Sequence, residues 1–310
     1  MSWLFVGPNI LSGIGQVTRK YANLVDGEYV EFHQTPQKTE YDYGFVFMLP
    51  IEHQLRQIDE IIKRCKKCYY MTVCETDTVH PLYGTLQKYK PMFVPSEFCK
   101  NILERQFPGM ECKVLRHHAP PCLAHKAPKL KTRPYNFYTI CNALDPRKNI
   151  KMLLSAFSHC NLPDARLVIK STAAKPLSLN IPNVMVINGL ITDEQMEKVH
   201  DGCHCYVNCS HSEGVGMGAV EAAMRGKPII ITDYGGLKEY VKTPWVVPCK
   251  LGEIGFDDFL FTKDMQWGYP HYPTLVKHLK DCYAARVMGF DHGHTREIMN
   301  RVQNDLQTLE

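Results

Sequence analysis

The sequence predicts an α/β protein made of two doubly wound halves, each a parallel sheet covered by helices, that face each other across a cleft. Apolar, β-rich runs alternate with segments of helical period almost from end to end, which is typical of this fold class. The 310 residues also exceed what one hydrophobic core usually contains. Residues 119–134 hold four prolines and little periodicity, and they are the predicted linker between the halves.

The first half has its own run of predicted elements. Strands are expected at 3–7, 29–33, 43–49, 69–75, 91–95 and 112–118, and helices at 13–25, 52–65 and 96–106. Apolar residues at spacings of three and four define the helices, such as Val17, Tyr21 and Leu24 in the first. Ser96 is placed to cap the third helix.

The second half repeats the alternation. Strands are expected at 135–142, 165–171, 183–188, 205–209 and 228–232, and helices at 149–160, at 192–202, up to Gly226, at 273–288 and at 294–309. Thr192, followed three residues later by Gln195, has the chemistry of a capping box at a helix start.

The composition excludes several classes of protein. With 45% hydrophobic residues, 22% charged residues and a net charge of +4, the chain is typical of globular proteins and well short of a polybasic nucleic-acid binder. No window of about 20 apolar residues occurs, so no membrane-spanning helix is expected. Peripheral contact with a membrane surface is the one membrane association that the sequence still allows. Thirteen scattered cysteines favour reduced thiols in the cytoplasm over a zinc or redox site at Cys65–Cys68 or Cys203–Cys209.

Loops that follow strands are where ligands bind in a doubly wound sheet. The first, SGIG, places Gly13 and Gly15 at the start of a helix, where backbone N–H groups can bind an anion. It lacks the G-x-G-x-x-G pattern of dinucleotide sites. The second, CNALDPRKNIKMLL, places Arg147 and Lys148 just before a helix, which suits a diphosphate. Two solvated basic side chains are the simpler alternative there.

The stretch HSEGVGMGAVEAAMRGKPIIITDYGG, residues 211–236, carries two glutamates eight residues apart. Its glycines permit close backbone approach to a ligand. Glu213 precedes these glycines, and Glu221 is expected near the first turn of an apolar helix, where an unpaired carboxylate would be costly. Carboxylates only accept hydrogen bonds, so sugar hydroxyls are suitable partners. Gly235 and Gly236, before another helix, form a second candidate anion site.

Together these segments resemble the retaining glycosyltransferases of GT-B fold, specifically glycosyltransferase family 4. The E-x7-E signature of that family corresponds to Glu213 and Glu221 in SEGVGMGAVEAAMRGKPII. SGIG, VPSEFCKNIL, LDPRKNIKMLLSAF and TDYGGLKEYV occur in the order found in the family. The resemblance extends from about residue 4 to residue 245.

The resemblance implies two Rossmann-like domains and an activity. Residues 1–133 would form the acceptor-side domain and residues 134–290 the nucleotide-sugar-binding domain, while the final helix at 294–310 would pack back on the first. The activity would be transfer of a hexose from a UDP- or GDP-linked sugar to a hydroxyl of a saccharide or glycan acceptor. No permanent cofactor is implied, and no Asp-x-Asp motif argues for a metal.

The resemblance also assigns roles to the donor-binding residues. Glu221 would bind the ribose hydroxyls, Glu213 the transferred hexose, and Lys148 the diphosphate. Backbone N–H groups would contact the sugar and diphosphate around Gly216, Met217 and Gly218, and Gly13 and Gly15 would close over the phosphates.

One position departs from the family pattern. The family usually has Gly-Arg after the first strand of the second domain, whereas this chain has Cys141 and Asn142. Asn142 would lie at the donor site without a charge, and Arg147 is the candidate to replace the missing cation.

Acceptor activation is expected in the first domain. Glu75 and His80 are candidates to orient or deprotonate the acceptor hydroxyl, and His117 and His118 could line the cleft. For each of these histidines, the alternative is an ordinary position at the protein surface. Two other functions stay open: a non-catalytic nucleotide-sugar-binding protein, and a Rossmann oxidoreductase.

Overall fold

The computed structural model describes residues 1–119 and 134–309, so the predicted linker lies almost entirely outside the described residues. The chain divides into two compact units. Unit 1 comprises Met1–Ala119, Glu253–Gln266 and the chain from Glu297 onward. Unit 2 comprises Trp267–Arg296 and the described residues of Pro120–Gly252.

Unit 1 is built on a parallel sheet of six strands. In chain order, β1 to β6 are Trp3–Gly7, Glu28–Glu31, Tyr41–Phe47, Cys65–Met71, Met92–Val94 and Cys112–Val114. The helices of this part are Gly13–Leu24 (α1), Glu52–Ile62 (α2) and Glu97–Gln106 (α3), with a 3-10 helix at Pro81–Lys88. The sheet order is β2-β1-β3-β4-β5-β6, and the apolar residues Leu4, Phe5 and Val6 of β1 are fully buried at its centre.

Unit 2 contains a second parallel sheet of six strands. Strands β7 to β12 are Tyr135–Cys141, Ala165–Ser171, Val184–Ile187, Cys205–Asn208, Ile229–Thr232 and Val246–Val247. The helices are Ile150–Cys160 (α4), Asp193–Asp201 (α5), Met217–Met224 (α6), Leu237–Tyr240 (α7) and Tyr272–Ala284 (α8). The last helix, Gly293–Gln307 (α9), begins in unit 2 and belongs to unit 1 from Glu297 onward. The sheet order is β12-β11-β10-β7-β8-β9. Both sheets grow outward in two directions from their first strand, and the predicted doubly wound α/β class is confirmed.

Several predicted boundaries are wrong. The second helix ends at Ile62 instead of residue 65, and Cys65 begins β4, which was expected only from residue 69. The cause is tertiary, because Cys65 pairs with Tyr41 of β3 and the ladder then continues to Met71. The helix predicted at 273–288 ends at Ala284. A separate two-stranded sheet of Cys249–Glu253 and Gln266–Pro270, and the 3-10 helix, were not predicted.

The predicted helix caps have the expected geometry. The Ser96 hydroxyl accepts the Cys99 N–H at 3.3 Å at the start of α3. At α5 the capping box is complete, because the Thr192 hydroxyl accepts the Gln195 N–H at 3.2 Å while the Gln195 side chain accepts the Thr192 N–H at 2.9 Å. Both caps satisfy N–H groups that a helix leaves without internal partners.

The last helix, α9, is anchored both near its start, which belongs to unit 2, and in its later turns, which belong to unit 1. In unit 2, the Thr295 hydroxyl donates to the Tyr240 carbonyl at 2.7 Å. In unit 1, Met299, Val302 and Leu306 are buried. Neither α9 nor any other helix in the described part of the chain is long and apolar enough to cross a bilayer.

Candidate functional site

The candidate site lies in unit 2, where the sheet reverses its direction of growth. β7 is followed by β8 and β9 on one side, whereas β10 pairs with β7 on the other side. In open α/β sheets, ligands bind at such a switch point, outside the carboxyl ends of the strands. The loop after β7 carries Arg147 and Lys148, and the loop after β10 carries Glu213. The topology therefore brings two segments that are distant in sequence to one place.

A short turn fixes the two cations after β7. Pro146–Lys148 form one turn of 3-10 helix, which the Asp145 carboxylate caps by accepting the Arg147 N–H at 2.9 Å. Asn149 then takes a left-handed conformation, with φ of 53°, and α4 begins at Ile150. Arg147 is only 9% exposed, so the simpler interpretation of two solvated basic side chains is wrong for this residue.

The Glu213 carboxylate is the centre of the site. The Lys148 ammonium donates to both of its oxygens, at 2.7 and 2.8 Å, and Arg147 Nη1 donates to Oε2 at 3.2 Å. The Ser210 hydroxyl donates to Oε1 at 2.7 Å, and Asn208 Nδ2 lies 3.4 Å from the same oxygen. A carboxylate offers about four lone-pair positions, so the lone pairs of Glu213 are fully occupied in this arrangement.

Burial and charge act in opposite directions on Glu213. Burial alone would raise the pKa of this carboxyl, but the Lys148 and Arg147 charges and the hydrogen bonds from Lys148 and Ser210 lower it to about 2. Glu213 is therefore ionised at neutral pH although it is only 7% exposed. Arg147 also pairs with Asp145, at 3.1 Å between Nη2 and Oδ2. These two cations and two carboxylates form a balanced cluster.

Two glycines hold the backbone of Glu213. The Gly236 N–H donates to the Glu213 carbonyl at 2.8 Å. Gly235 has a positive φ of 86°, and a Cβ at this position would lie 2.5 Å from the same carbonyl oxygen. Gly235 is therefore required both by its backbone conformation and by lack of space.

The glycines after Glu213 lead directly into α6. Gly216 is the N-cap residue in a left-handed conformation, and no side chain caps the helix. The N–H groups of Met217 and Gly218 are thus left to solvent or a ligand, whereas the Ala219 N–H donates to the Gly216 carbonyl at 2.9 Å. A Cβ at Gly218 would lie 2.3 Å from the Tyr206 hydroxyl, so this position has no room for a side chain.

Glu221 is the fifth residue of α6 and directly follows its first turn, which agrees with the expected position near that turn. Its backbone carbonyl accepts from Arg225 Nη1 at 2.7 Å, and Arg225 Nε donates to Glu197 Oε2 at 2.9 Å. Glu221 is half-buried.

Asn142 follows β7 and is exposed. Its side-chain oxygen accepts the Leu144 N–H at 3.2 Å, and its backbone carbonyl accepts the Asp145 N–H at 3.1 Å. Asn142 therefore shapes the turn that carries Arg147 and Lys148.

Sequence reasoning missed three side chains of the site. Ser210 and Asn208 bind the Glu213 carboxylate, and Asp145 binds Arg147. The available signal was position, because Asn208 and Ser210 are polar residues at the carboxyl end of a buried strand. Nothing in their spacing indicated which charge they would contact.

The two glycines of the predicted loop in unit 1 have different surroundings. Ser12 caps α1 by accepting the Gly15 N–H at 3.0 Å. A Cβ at Gly15 would lie 2.3 Å from the Asn9 carbonyl oxygen, whereas a Cβ at Gly13 would meet nothing within 4 Å. Gly15 is therefore required for packing, and Gly13 lies beside open space.

The acceptor-side candidates in unit 1 have different surroundings. The His80 Nδ1 accepts the Leu82 N–H at 3.2 Å and caps the 3-10 helix, while Glu75 is half-buried after β4. His117 and His118 are buried, so the surface alternative is wrong for both. Burial, with the nearby Lys20 charge, lowers the pKa of His117 to about 3 and that of His118 to about 4, so both imidazoles are neutral at pH 7.

One segment of the chain matches the sequence model of a known protein family. Residues 124–244 match the sequence model of the family described as "Glycosyl transferases group 1". This range contains the Arg147–Lys148 turn, Glu213 and Glu221. Among curated protein sequences, none matches the chain significantly.

Solved structures of similar fold cover most of the chain. Sucrose-phosphate synthase from Thermosynechococcus elongatus has a TM-score of 0.60 at 15% identity, over 87% of this chain and 73% of that one. The lipopolysaccharide outer core galactosyltransferase WaaB has a TM-score of 0.61 at 12% identity, over 99% and 98%. The pneumococcal O-GlcNAc transferase GtfA, solved with UDP and GlcNAc, has a TM-score of 0.59 at 12% identity, over 96% and 60%. The chain has the α/β fold of the GT-B glycosyltransferases, with two Rossmann-like sheets, and its residues 124–244 are similar to the group 1 glycosyl transferases.

Proposed function

We propose that this protein is a retaining glycosyltransferase that moves a hexose from a UDP- or GDP-linked sugar to a hydroxyl of a saccharide or glycan acceptor. Residues 134–290 bind the donor in this proposal, and residues 1–133 with the final helix bind the acceptor. A reducing, cytoplasmic compartment fits the cysteines, because the twelve that are described are all free.

The observation that carries the proposal is the cluster of Arg147, Lys148 and Glu213 at the switch point of the unit 2 sheet. It combines two cations with the uncapped start of α6, and both features favour a diphosphate. The family match over residues 124–244 includes these parts. A fold relative solved with UDP and GlcNAc supports a nucleotide sugar as the ligand.

Donor binding requires a rearrangement of the Lys148–Glu213 pair. The Glu213 carboxylate has its lone pairs occupied, so it cannot accept a hexose hydroxyl until one donor leaves. Lys148 is the donor that leaves, because the diphosphate offers it a stronger partner. The exchange couples the two events: the leaving group takes Lys148, and Glu213 becomes free to bind the sugar.

The remaining donor contacts follow from the loop around α6. Glu221 accepts hydrogen bonds from the ribose hydroxyls, and the N–H groups of Gly216, Met217 and Gly218 contact the sugar and diphosphate. Gly236 holds the Glu213 backbone through its N–H, and Gly235 leaves room for the Glu213 carbonyl.

Catalysis in this proposal is electrostatic. Departure of the diphosphate develops negative charge, which Lys148, Arg147 and backbone N–H groups stabilise without a divalent metal. Glu75 and His80 remain the candidates to orient or deprotonate the acceptor hydroxyl, whereas the buried His117 and His118 do not titrate near neutral pH.

A thermal-shift screen with UDP, GDP, ADP and the corresponding sugars tests the donor class. A ligand present at 100 times its dissociation constant adds about 2.7 kcal/mol to the free energy of unfolding, which is easily measured. We expect UDP or GDP to stabilise the protein and Glu221→Ala to reduce that effect, with Glu194→Ala, an exposed glutamate of α5, as the matched control.

Product analysis then separates the proposed enzyme from a binding protein. NMR of the product formed from the stabilising donor should show an anomeric configuration equal to that of the donor. Stabilisation by a nucleotide sugar without transfer or donor hydrolysis would indicate the non-catalytic alternative. Stabilisation by NADH alone would indicate an oxidoreductase.

A further inference from the structure

His211 connects the backbone of the Glu213 cluster to a strand that the sequence did not predict. The strand is Gln266–Pro270 (β14), and it belongs to unit 2 from Trp267 onward. His211 lies two residues before Glu213 and is half-buried. It is not among the predicted site residues, so its contacts with both the cluster and β14 give it a role that spacing along the chain did not indicate.

Arg147 is bound by three consecutive residues of the segment that contains His211. The His211 N–H donates to the Arg147 carbonyl at 2.8 Å. The Arg147 guanidinium donates from Nη1 to the Ser212 carbonyl at 2.9 Å and to Glu213 Oε2 at 3.2 Å. This segment therefore locates both the main chain and the side chain of Arg147, and a shift of the segment would move the cation relative to the carboxylate.

The carbonyl and the side chain of His211 fix this segment to β14. The Gly268 N–H donates to the His211 carbonyl at 3.0 Å, and the His211 Nδ1 lies 2.8 Å from the Gly268 carbonyl oxygen. A carbonyl oxygen only accepts hydrogen bonds, so Nδ1 carries the proton. The imidazole also stacks on the Trp267 indole, with ring centroids 4.7 Å apart and an angle of 6° between the planes. Residue 211 is thus held by two hydrogen bonds and a ring stack.

The strand β14 is itself fixed at the position that His211 contacts. A Cβ at Gly268 would lie 3.0 Å from Tyr234 Cβ, so the strand packs closely against the loop after β11. In the same loop, Gly235 packs against the Glu213 carbonyl. Because β14 contacts the loops after both β10 and β11, it is a fixed reference for the segment that contains Glu213.

We propose that His211 is a positioning residue for the transfer reaction, which aligns Arg147 with Glu213 through its hydrogen bond to Gly268. The inference rests on the proposed glycosyl transfer. The hydrogen bond has a narrow range of distance and angle and therefore sets the position of residue 211 on β14, whereas a stack on Trp267 tolerates sliding and contributes mainly to stability. The imidazole contacts neither the diphosphate nor the sugar, and it acts through the backbone that binds Arg147.

Two substitutions separate the hydrogen bond of His211 from its stacking. Burial lowers the pKa of the imidazole, which is therefore neutral at pH 7, so neutral replacements leave the charge of the site unchanged. His211→Asn places an amide N–H close to the position of Nδ1 and removes the ring, whereas His211→Phe keeps a ring and removes the N–H. We expect His211→Phe to lower kcat about 30-fold with the donor KM within about twofold, and His211→Asn to keep kcat within about threefold of the parent.

Stability should rank the two variants in the opposite order. His211→Phe should melt closer to the parent than His211→Asn, because the ring stack on Trp267 is kept. His159→Ala is the matched control, since His159 also contacts an aromatic side chain of unit 2, Tyr272, through its Nδ1 and its ring, and it should leave kcat unchanged. A kcat that follows the melting temperature across the His211 variants would assign this residue a purely structural role and overturn the inference.

A double-mutant cycle tests the alignment without requiring transfer. If His211 aligns Arg147 with Glu213, the loss of unfolding free energy caused by Glu213→Gln should be smaller in the His211→Phe background than in the parent, because the ion pair is already weakened there. The same cycle with His159→Ala should be additive. Additive losses in the His211 cycle would overturn the inference. Failure of the proposed function has a different signature, because no nucleotide would then stabilise the parent, while the coupling within the cycle would remain.

Discussion

The Lys148 ammonium lies 2.7 and 2.8 Å from the two carboxylate oxygens of Glu213, although the two residues are 65 positions apart in the chain. The pair is largely shielded from water, with side-chain exposures of 13% for Lys148 and 8% for Glu213. Arg147 adds a second cation on Oε2. Because the carboxylate is held between two cations, the same ion pairs contribute to the stability of the fold and position the charged groups of the site.

Replacing Glu213 should reduce both stability and transfer. Glu213→Gln leaves the Lys148 and Arg147 charges without their shared partner, and breaking a buried ion pair from one side costs about 3–5 kcal/mol. We expect a loss of stability near the lower end of this range, because Arg147 retains its ion pair with Asp145. Urea unfolding measures the loss, and transfer should fall at least 100-fold. Glu194→Gln, which breaks an exposed pair with Lys198, should change stability by less than about 0.5 kcal/mol.

The contribution of Glu213 to stability should depend on pH. Its pKa is lowered from 4.5 to about 2 in the folded protein, so the folded state binds its proton less readily than the unfolded state. This contribution is complete above about pH 5 and is lost as the pH falls from the unfolded value through about 2. The difference in unfolding free energy between parent and Glu213→Gln should therefore shrink between pH 5 and pH 3. A difference that stays constant over this range would contradict the lowered pKa.

Removing the Lys148 ammonium should weaken binding of the nucleotide diphosphate. Lys148→Ala is expected to abolish most of the thermal stabilisation by UDP or GDP and to lower kcat by about 100–1,000-fold, since it removes one electrostatic contact to the leaving group. Lys151→Ala is the matched control, because Lys151 is an exposed lysine on α4, three residues later. Equal effects of the two substitutions would show that the loss of nucleotide binding reflects the lower overall positive charge of the protein and not a specific contact of Lys148.

A methyl group at Gly235 should displace Glu213. Gly235→Ala introduces a Cβ 2.5 Å from the Glu213 carbonyl oxygen, in addition to the strain of a positive φ of 86°. Gly189→Ala has a similar φ of 79° and meets nothing within 4 Å, so it isolates the cost of the backbone conformation, about 1–2 kcal/mol. Gly235→Ala should be clearly less stable than Gly189→Ala and should lose transfer activity. Equal free energies of unfolding for the two variants would mean that the turn at residues 235–236 moves to accommodate the methyl group without destabilising the fold.

Adding a cation at position 142 should strengthen donor binding. Asn142 is exposed at the start of the loop that carries Arg147 and Lys148. Asn142→Arg is expected to lower the Kd for UDP or GDP several-fold and to steepen its dependence on salt. Asn142→Gln, which changes the length of the side chain without adding charge, is the control. An unchanged Kd in Asn142→Arg would mean that the diphosphate does not bind near this residue.

Much of the site could be anticipated because its chemistry follows the strand ends. Strand–helix alternation predicted the fold class, and the glycines around Glu213 indicated a loop that approaches a ligand closely. The error at Cys65 shows the limit of periodicity, since pairing with β3 extended a strand into a segment with a helical pattern. Glu221 directly follows the first turn of its helix, close to the position that the apolar pattern indicated.

The sequence by itself determined the doubly wound class and the loops that carry charge and glycine. Only the tertiary structure decided which charges meet. Strand order places the loop after β7 beside the loop after β10, and this proximity joins Lys148 and Arg147 to Glu213 with Ser210 and Asn208 around them. Spacing along the chain cannot reveal such a pairing, because a carboxylate is neutralised by whatever cation the sheet topology brings within about 3 Å.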